Sequence, residues 1–92
     1  MDDFDDDVWA EMQEMYINHT FKELNNIKEN LDSASFDSLR TFGHNIKGSG
    51  GMYGFGAVTN FGTEIEASAK ANDRSKIKTL LEELSTFLKT KI

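Results

Sequence analysis

The sequence predicts an all-α protein: an antiparallel four-helix bundle with a short or merged additional helix at its N-terminus. Apolar residues recur at three- and four-residue steps along several segments, the period of one helix face. No segment alternates with period two over a useful length, so no strand is expected. The chain has 92 residues, with no proline and no cysteine, which suits a single domain over residues 1–92 whose residues 1–6 are an acidic N-terminal segment. Each amphipathic helix is marginal alone, so stability must come from burying the stripes together.

The first helical region runs from about Asp6 to Leu31, with Val8, Met12, Met15, Tyr16, Leu24, Ile27 and Leu31 as its apolar positions. Thr20-Phe21-Lys22-Glu23 fits a capping box, so the region either breaks near Asn18 to Thr20 or runs on as one helix. The acidic run at residues 2 to 7 favours the positive end of the helix dipole. It is not a calcium loop, because Val8 stands where a loop starting at Asp3 needs glycine.

Asp32-Ser33-Ala34-Ser35 reads as a polar turn, with Ser35 as N-cap of a second helix from Phe36 to about Gly51. Tyr53 keeps that helix's apolar register, and Gly54-Phe55-Gly56 supplies a turn. The third region carries Val58, Phe61, Ile65 and Ala69 on one side. Asn72-Asp73 breaks it, and Asp73 caps a last helix striped by Ile77, Leu81, Leu84, Leu88 and Ile92. The stripes, with Met12, Met15, Phe61 and Phe87, read as core and not as cofactor boxes. Since each stripe is used up in one bundle, a monomer is expected.

Sixteen acidic against ten basic residues give a net charge of −6. That argues against nucleic acid and against anionic membrane surfaces, both of which need basic patches. No apolar run approaches the ~20 residues of a membrane span. The acidic start is the opposite of a signal peptide, so a cytoplasmic location is expected, and the glycosylation pattern Asn18-His19-Thr20 reads as chance. Without cysteine there is no disulfide framework and no thiolate metal site.

The stretch from His44 to Gly56 holds five glycines in thirteen residues. At about 100° per residue, Leu39, Phe42, Ile46 and Tyr53 share one narrow arc that faces the core. Gly43 and Gly50 lie near that arc, where they let a neighbouring helix approach closely. His44 points about 140° away from Leu39, towards solvent. Arg40 precedes it by one turn, and Lys47 and Gly48 follow at the positions that neighbour a helical side chain. Gly51 lies two turns on. Glycine inside a helix costs about 1 kcal/mol relative to alanine, and on an exposed face the compensating gain is access to the imidazole. If the helix stopped at Ile46, with Gly48 and Gly51 as end signals, this shared face would not exist.

An exposed imidazole with a free nitrogen is a nucleophile near neutral pH. A phosphoryl group on it would be balanced by Lys47, with Arg40 and the Ser49 hydroxyl as further candidates, although Arg40 reads equally well as a solvated helix charge. No second acid–base residue is expected on this face except distant Asp37, and no metal-ligand cluster lies nearby. That pattern suggests a site that holds a group. The phosphate-binding loop fails because Ser49 stands where lysine is required after Gly43 to Gly48. The dinucleotide pattern fails at Tyr53.

His44-Asn45-Ile46-Lys47-Gly48-Ser49-Gly50 resembles the H-x-x-K-G-S/A signature of histidine-containing phosphotransfer (HPt) domains. Leu39-Arg40 before the histidine, Gly54-Phe55-Gly56-Ala57 as a turn, and Ile65-Glu66 followed by Ala69 to Asp73 extend the likeness across about residues 12 to 91. The resemblance implies a phosphoryl carrier in a two-component phosphorelay, a signalling phosphoprotein and not an autonomous kinase. It implies phosphohistidine at His44, phosphoryl stabilisation by Lys47, and room at Gly48 for the partner's active site. The implied partners are response-regulator receiver domains and a sensor histidine kinase, with Mg²⁺ on the receiver and no cofactor on this chain. Arg40, Ser49, Gly51, Met52 and Phe55 are the further partner-binding candidates. Gly43 and Gly51 depart from the family, which commonly carries alanine or another small residue there. The rival readings are a helical docking module that is never phosphorylated, and a metal or haem binder using His44 and His19. His19 itself reads as an ordinary surface histidine.

Overall fold

The computed structural model describes residues 6–92; the acidic residues 2–5 and the loop reading at Asp3 lie outside them. Four helices follow in order: α1 (Asp6–Glu29), α2 (Phe36–Gly50), α3 (Gly56–Lys70) and α4 (Arg74–Lys89). A single 3-10 turn, Gly51–Tyr53, continues α2 before the chain reverses. The all-α bundle expected from the apolar period is what forms, with no strand among the described residues.

The N-terminal region is one uninterrupted helix. α1 contains neither glycine nor proline, and Thr20 is 2% exposed in its interior beside the buried Ile17 and Leu24. A capping box at Thr20 would need that hydroxyl at a helix start. Burial of its side chain in a continuous helix takes precedence.

Ser35 caps α2, its hydroxyl accepting from the Ser38 amide at 3.1 Å. Asp73 caps α4 in the same way through the Lys76 amide, at 3.1 Å. Asn72 turns the chain at φ 57°, a left-handed conformation that asparagine tolerates better than most residues. Gly54, at φ 85°, makes the reversal after α2.

Cross-contacts fix the directions. On α2 and α3, Gly43 meets Glu66 and Gly50 meets Thr59, so the two helices are antiparallel. Gln13 meets Tyr53 and Tyr16 meets Ser49, which runs α1 against the end of α2. Arg74, at the start of α4, donates to the carbonyls of Leu31 and Ala34 at 2.6 and 2.8 Å and lies over the Phe36 ring. That clamp ties the α1–α2 turn to α4.

The core is built from Ile17, Leu24, Leu39, Phe42, Ile46, Val58, Ile65, Ile77 and the leucines of α4. Burying each such side chain contributes roughly 1.5–3 kcal/mol before entropy is counted. Four expected core positions are exposed instead: Val8, Met12, Met15 and Ile92, at 42, 37, 70 and 68%. The first three lie on the part of α1 that packs on the 3-10 turn, where Trp9, Tyr16 and Tyr53 cover its inner side by stacking. Ile92 lies beyond the end of α4. Phe61 and Phe87 are partly buried and meet each other at the edge of the core.

Candidate functional site

α2 stays helical through Gly50, so His44, Lys47 and Gly48 share one face. The His44 side chain is 66% exposed, as its angle from Leu39 requires. It is not alone there. Glu66 of α3 places one carboxylate oxygen 3.2 Å from His44 Nδ1 and the other 2.7 Å from Lys47 Nζ. Lys70, one turn further along α3, approaches the same carboxylate at 4.0 Å.

Glu66 is the residue sequence reasoning missed: an acid–base group does stand on this face, brought from 22 residues away by the pairing of α2 with α3. The available signal was weak. Gly62, Glu66 and Lys70 recur at four-residue steps and so share one α3 face, with glycine opposite α2.

The Glu66 side chain is only 12% exposed. Its hydrogen bond from Lys47 holds its carboxyl below the ordinary value of 4.5, with His44 and the charges of Lys47 and Lys70 adding to the effect against partial desolvation. It is therefore ionised at neutral pH and can only accept hydrogen bonds. A neutral His44 must then donate from Nδ1, which leaves the lone pair on Nε2, the ring nitrogen Glu66 does not engage. Two lysines against one carboxylate leave the cluster with an excess cation.

The other sequence candidates separate. Arg40 borders a shallow hollow with Thr41, His44 and Glu66, and pairs loosely with Asp37 at 3.9 Å. A β-carbon at Gly48 would meet no described atom within 4 Å, so the surface beside His44 is open. Ser49 turns its hydroxyl to Tyr16 at 2.7 Å, away from the His44–Glu66 pair. The Gly51 amide donates to Thr59 Oγ1 at 2.8 Å. Met52 is 73% exposed, whereas Phe55 packs against the core with its ring near Tyr16. His19 stands on α1 in a separate groove with Lys22, Glu23 and Asn26.

Among the described residues no group of three or more His, Cys, Asp or Glu side chains could hold a metal ion. None of the described helices is long and apolar enough to cross a membrane.

An exposed histidine midway along one helix of a small bundle, oriented by a carboxylate and flanked by lysine, defines a class: helical modules that present an imidazole to solvent. The family model for the Hpt domain matches residues 11–90, most of the chain, and the protein belongs to that family. Hpt domains are phosphocarrier modules of phosphorelays, not kinases, and they work with response-regulator receivers and kinases. Neither a curated protein nor a solved structure matched the chain.

Proposed function

We propose that His44 is the phosphoryl-accepting residue and that it exchanges the group with aspartates of receiver domains. The observation that carries this reading is the Glu66 carboxylate on Nδ1 of a solvent-facing imidazole. Nε2 attacks the phosphorus of an aspartyl phosphate, the phosphorus–oxygen bond to the aspartate breaks, and the aspartate leaves as a carboxylate. The Nδ1 proton stays in place throughout. Glu66 compensates the positive charge that spreads over the ring when Nε2 becomes bonded to phosphorus.

Lys47 balances the phosphoryl oxygens. Its ammonium has three donors, and the contact with Glu66 uses one of them. Arg40 adds positive charge at the rim of the hollow, which suits the approach of an anionic group. Gly48 and Gly51 leave room for the partner's active site, and Met52 offers it an apolar contact. Ser49 and Phe55 support this surface from behind, through Tyr16. The Mg²⁺ that assists transfer belongs to the receiver. The protein acts as a cytoplasmic monomer that docks a receiver, or a sensor kinase, and carries the group between them.

Incubation with a receiver phosphorylated on its aspartate tests the proposal. Wild-type protein is expected to take up label that is acid-labile and alkali-stable, and His44→Gln to take up none. Equal labelling of both proteins refutes the assignment. Binding of the receiver with no label on either protein would establish the docking module in its place.

A further inference from the structure

Glu66 reaches His44 and Lys47 because α2 and α3 run closer together than side chains normally allow. A β-carbon at Gly62 would stand 2.5 Å from the Lys47 amide nitrogen and 2.6 Å from the Gly43 carbonyl oxygen. One at Gly43 would stand 2.7 Å from the Glu66 amide nitrogen. Real β-carbons do not approach other atoms this closely, and the atoms in the way are backbone, which cannot swing aside. Alanine at either position must push the helices apart.

The crossing is held further along as well. Seven residues after Gly43, a β-carbon at Gly50 would meet the Thr59 amide at 2.7 Å. Thr59 there donates its hydroxyl to the Lys47 carbonyl at 3.0 Å and accepts from the Gly51 amide. Gly62 lies one turn before Glu66, and Gly43 immediately before His44, so any separation of the helices acts directly on that pair. The Nδ1–Oε2 contact, at 3.2 Å, is already at the long end of the hydrogen-bond range. A further outward shift of about half an ångström breaks it.

We infer that Gly43 and Gly62 are positioning residues for His44: the glycine crossing, acting through Glu66, fixes the imidazole proton on Nδ1 and leaves Nε2 unprotonated. The importance of this rests on His44 being the phosphoryl acceptor, but its test needs no phosphoryl transfer. The tautomer is read by imidazole ¹⁵N NMR at about pH 8, above the ordinary histidine range. The His44 signals are assigned by their loss in His44→Gln.

Wild-type protein is expected to show Nδ1–H at His44. Gly62→Ala shifts the population towards Nε2–H, while Gly56→Ala, whose β-carbon meets no described atom within 4 Å, leaves it unchanged. In a Glu66→Gln background, Gly62→Ala causes no further shift, because the residue it acts through is already altered. A folded Gly62→Ala with the wild-type tautomer overturns the inference, as does an equal shift with and without Glu66.

Should Gly62→Ala fail to fold, Glu66→Asp withdraws the carboxylate by one methylene, about 1.5 Å, with the helices in place. It is expected to release the Nδ1 proton, and retention of the wild-type tautomer overturns the inference in the same way. Uptake from a phosphorylated receiver is expected to slow at least roughly tenfold in Gly62→Ala and Glu66→Asp. If the tautomers respond as expected but wild-type protein takes no phosphoryl group, the positioning stands and the carrier reading falls.

Discussion

At the scale of single residues, Gly48 opposes stability to access. It lies inside α2, where glycine is less favourable than alanine by roughly 0.5–1 kcal/mol, yet no described atom would obstruct a β-carbon there. Gly48→Ala is therefore expected to raise the unfolding free energy by about that amount in urea titration. The same methyl group stands beside His44, and Gly48→Gln would project a longer chain over it. Uptake from a phosphorylated receiver should slow modestly in the alanine variant and by roughly tenfold or more in the glutamine variant, a docking loss of about 1.4 kcal/mol. Unchanged uptake in both would show that the partner does not approach over Gly48. His44, Lys47 and Gly48 were legible in the sequence because one helix carries them, and helical geometry alone fixes their neighbourhood. Glu66 was not, because its place depends on the register of two helices. That register is written in glycines whose partners only the packing reveals.

At the scale of elements, local chemistry decided most boundaries. The caps at Ser35 and Asp73, the break at Asn72, and the glycine turn after α2 all form as their residue types dictate. α1 was harder, because periodicity reports an apolar face and not what covers it. Met12 and Met15 keep the period of the helix but line an exposed groove with Tyr16, His19 and Tyr53. The 3-10 turn there is held by Gln13, whose Nε2 donates to the Tyr53 carbonyl at 2.8 Å. Gly54 follows it at φ 85°, where a β-carbon would crowd that same Gln13 nitrogen at 3.0 Å. Gly54→Ala is thus expected to cost about 1–2 kcal/mol from backbone strain, with the Gln13 bond weakened besides. Gln13→Ala in the Gly54→Ala background should then cost less than Gln13→Ala alone, as thermal unfolding would measure. Additive losses would mean that the turn and α1 are not coupled through this contact.

At the scale of the whole molecule, two half-hidden ionisable groups link the site and the turn to folding, with opposite signs. Glu66 has its carboxyl lowered below 4.5, chiefly by the hydrogen bond from Lys47. The unfolded chain therefore takes up that proton at higher pH than the folded one. The stability Glu66 contributes is complete above 4.5 and disappears as the pH falls through its lower folded value. Tyr16 behaves in reverse. Burial raises its phenol above 10.0, against the opposing hydrogen bond to Ser49. The folded protein keeps the proton after the unfolded chain has lost it, so this contribution is complete below 10.0 and declines as the pH rises through the folded value. The melting temperature should accordingly fall at both ends of the pH scale, and each limb should belong to an identifiable group. Glu66→Gln is expected to flatten part of the acid limb while leaving the alkaline limb intact. Tyr16→Phe should flatten the alkaline limb and leave the acid one. Thermal melts followed by circular dichroism from about pH 3 to 11 separate the two, and an acid limb unchanged in Glu66→Gln would place the acid sensitivity outside the α2–α3 cluster.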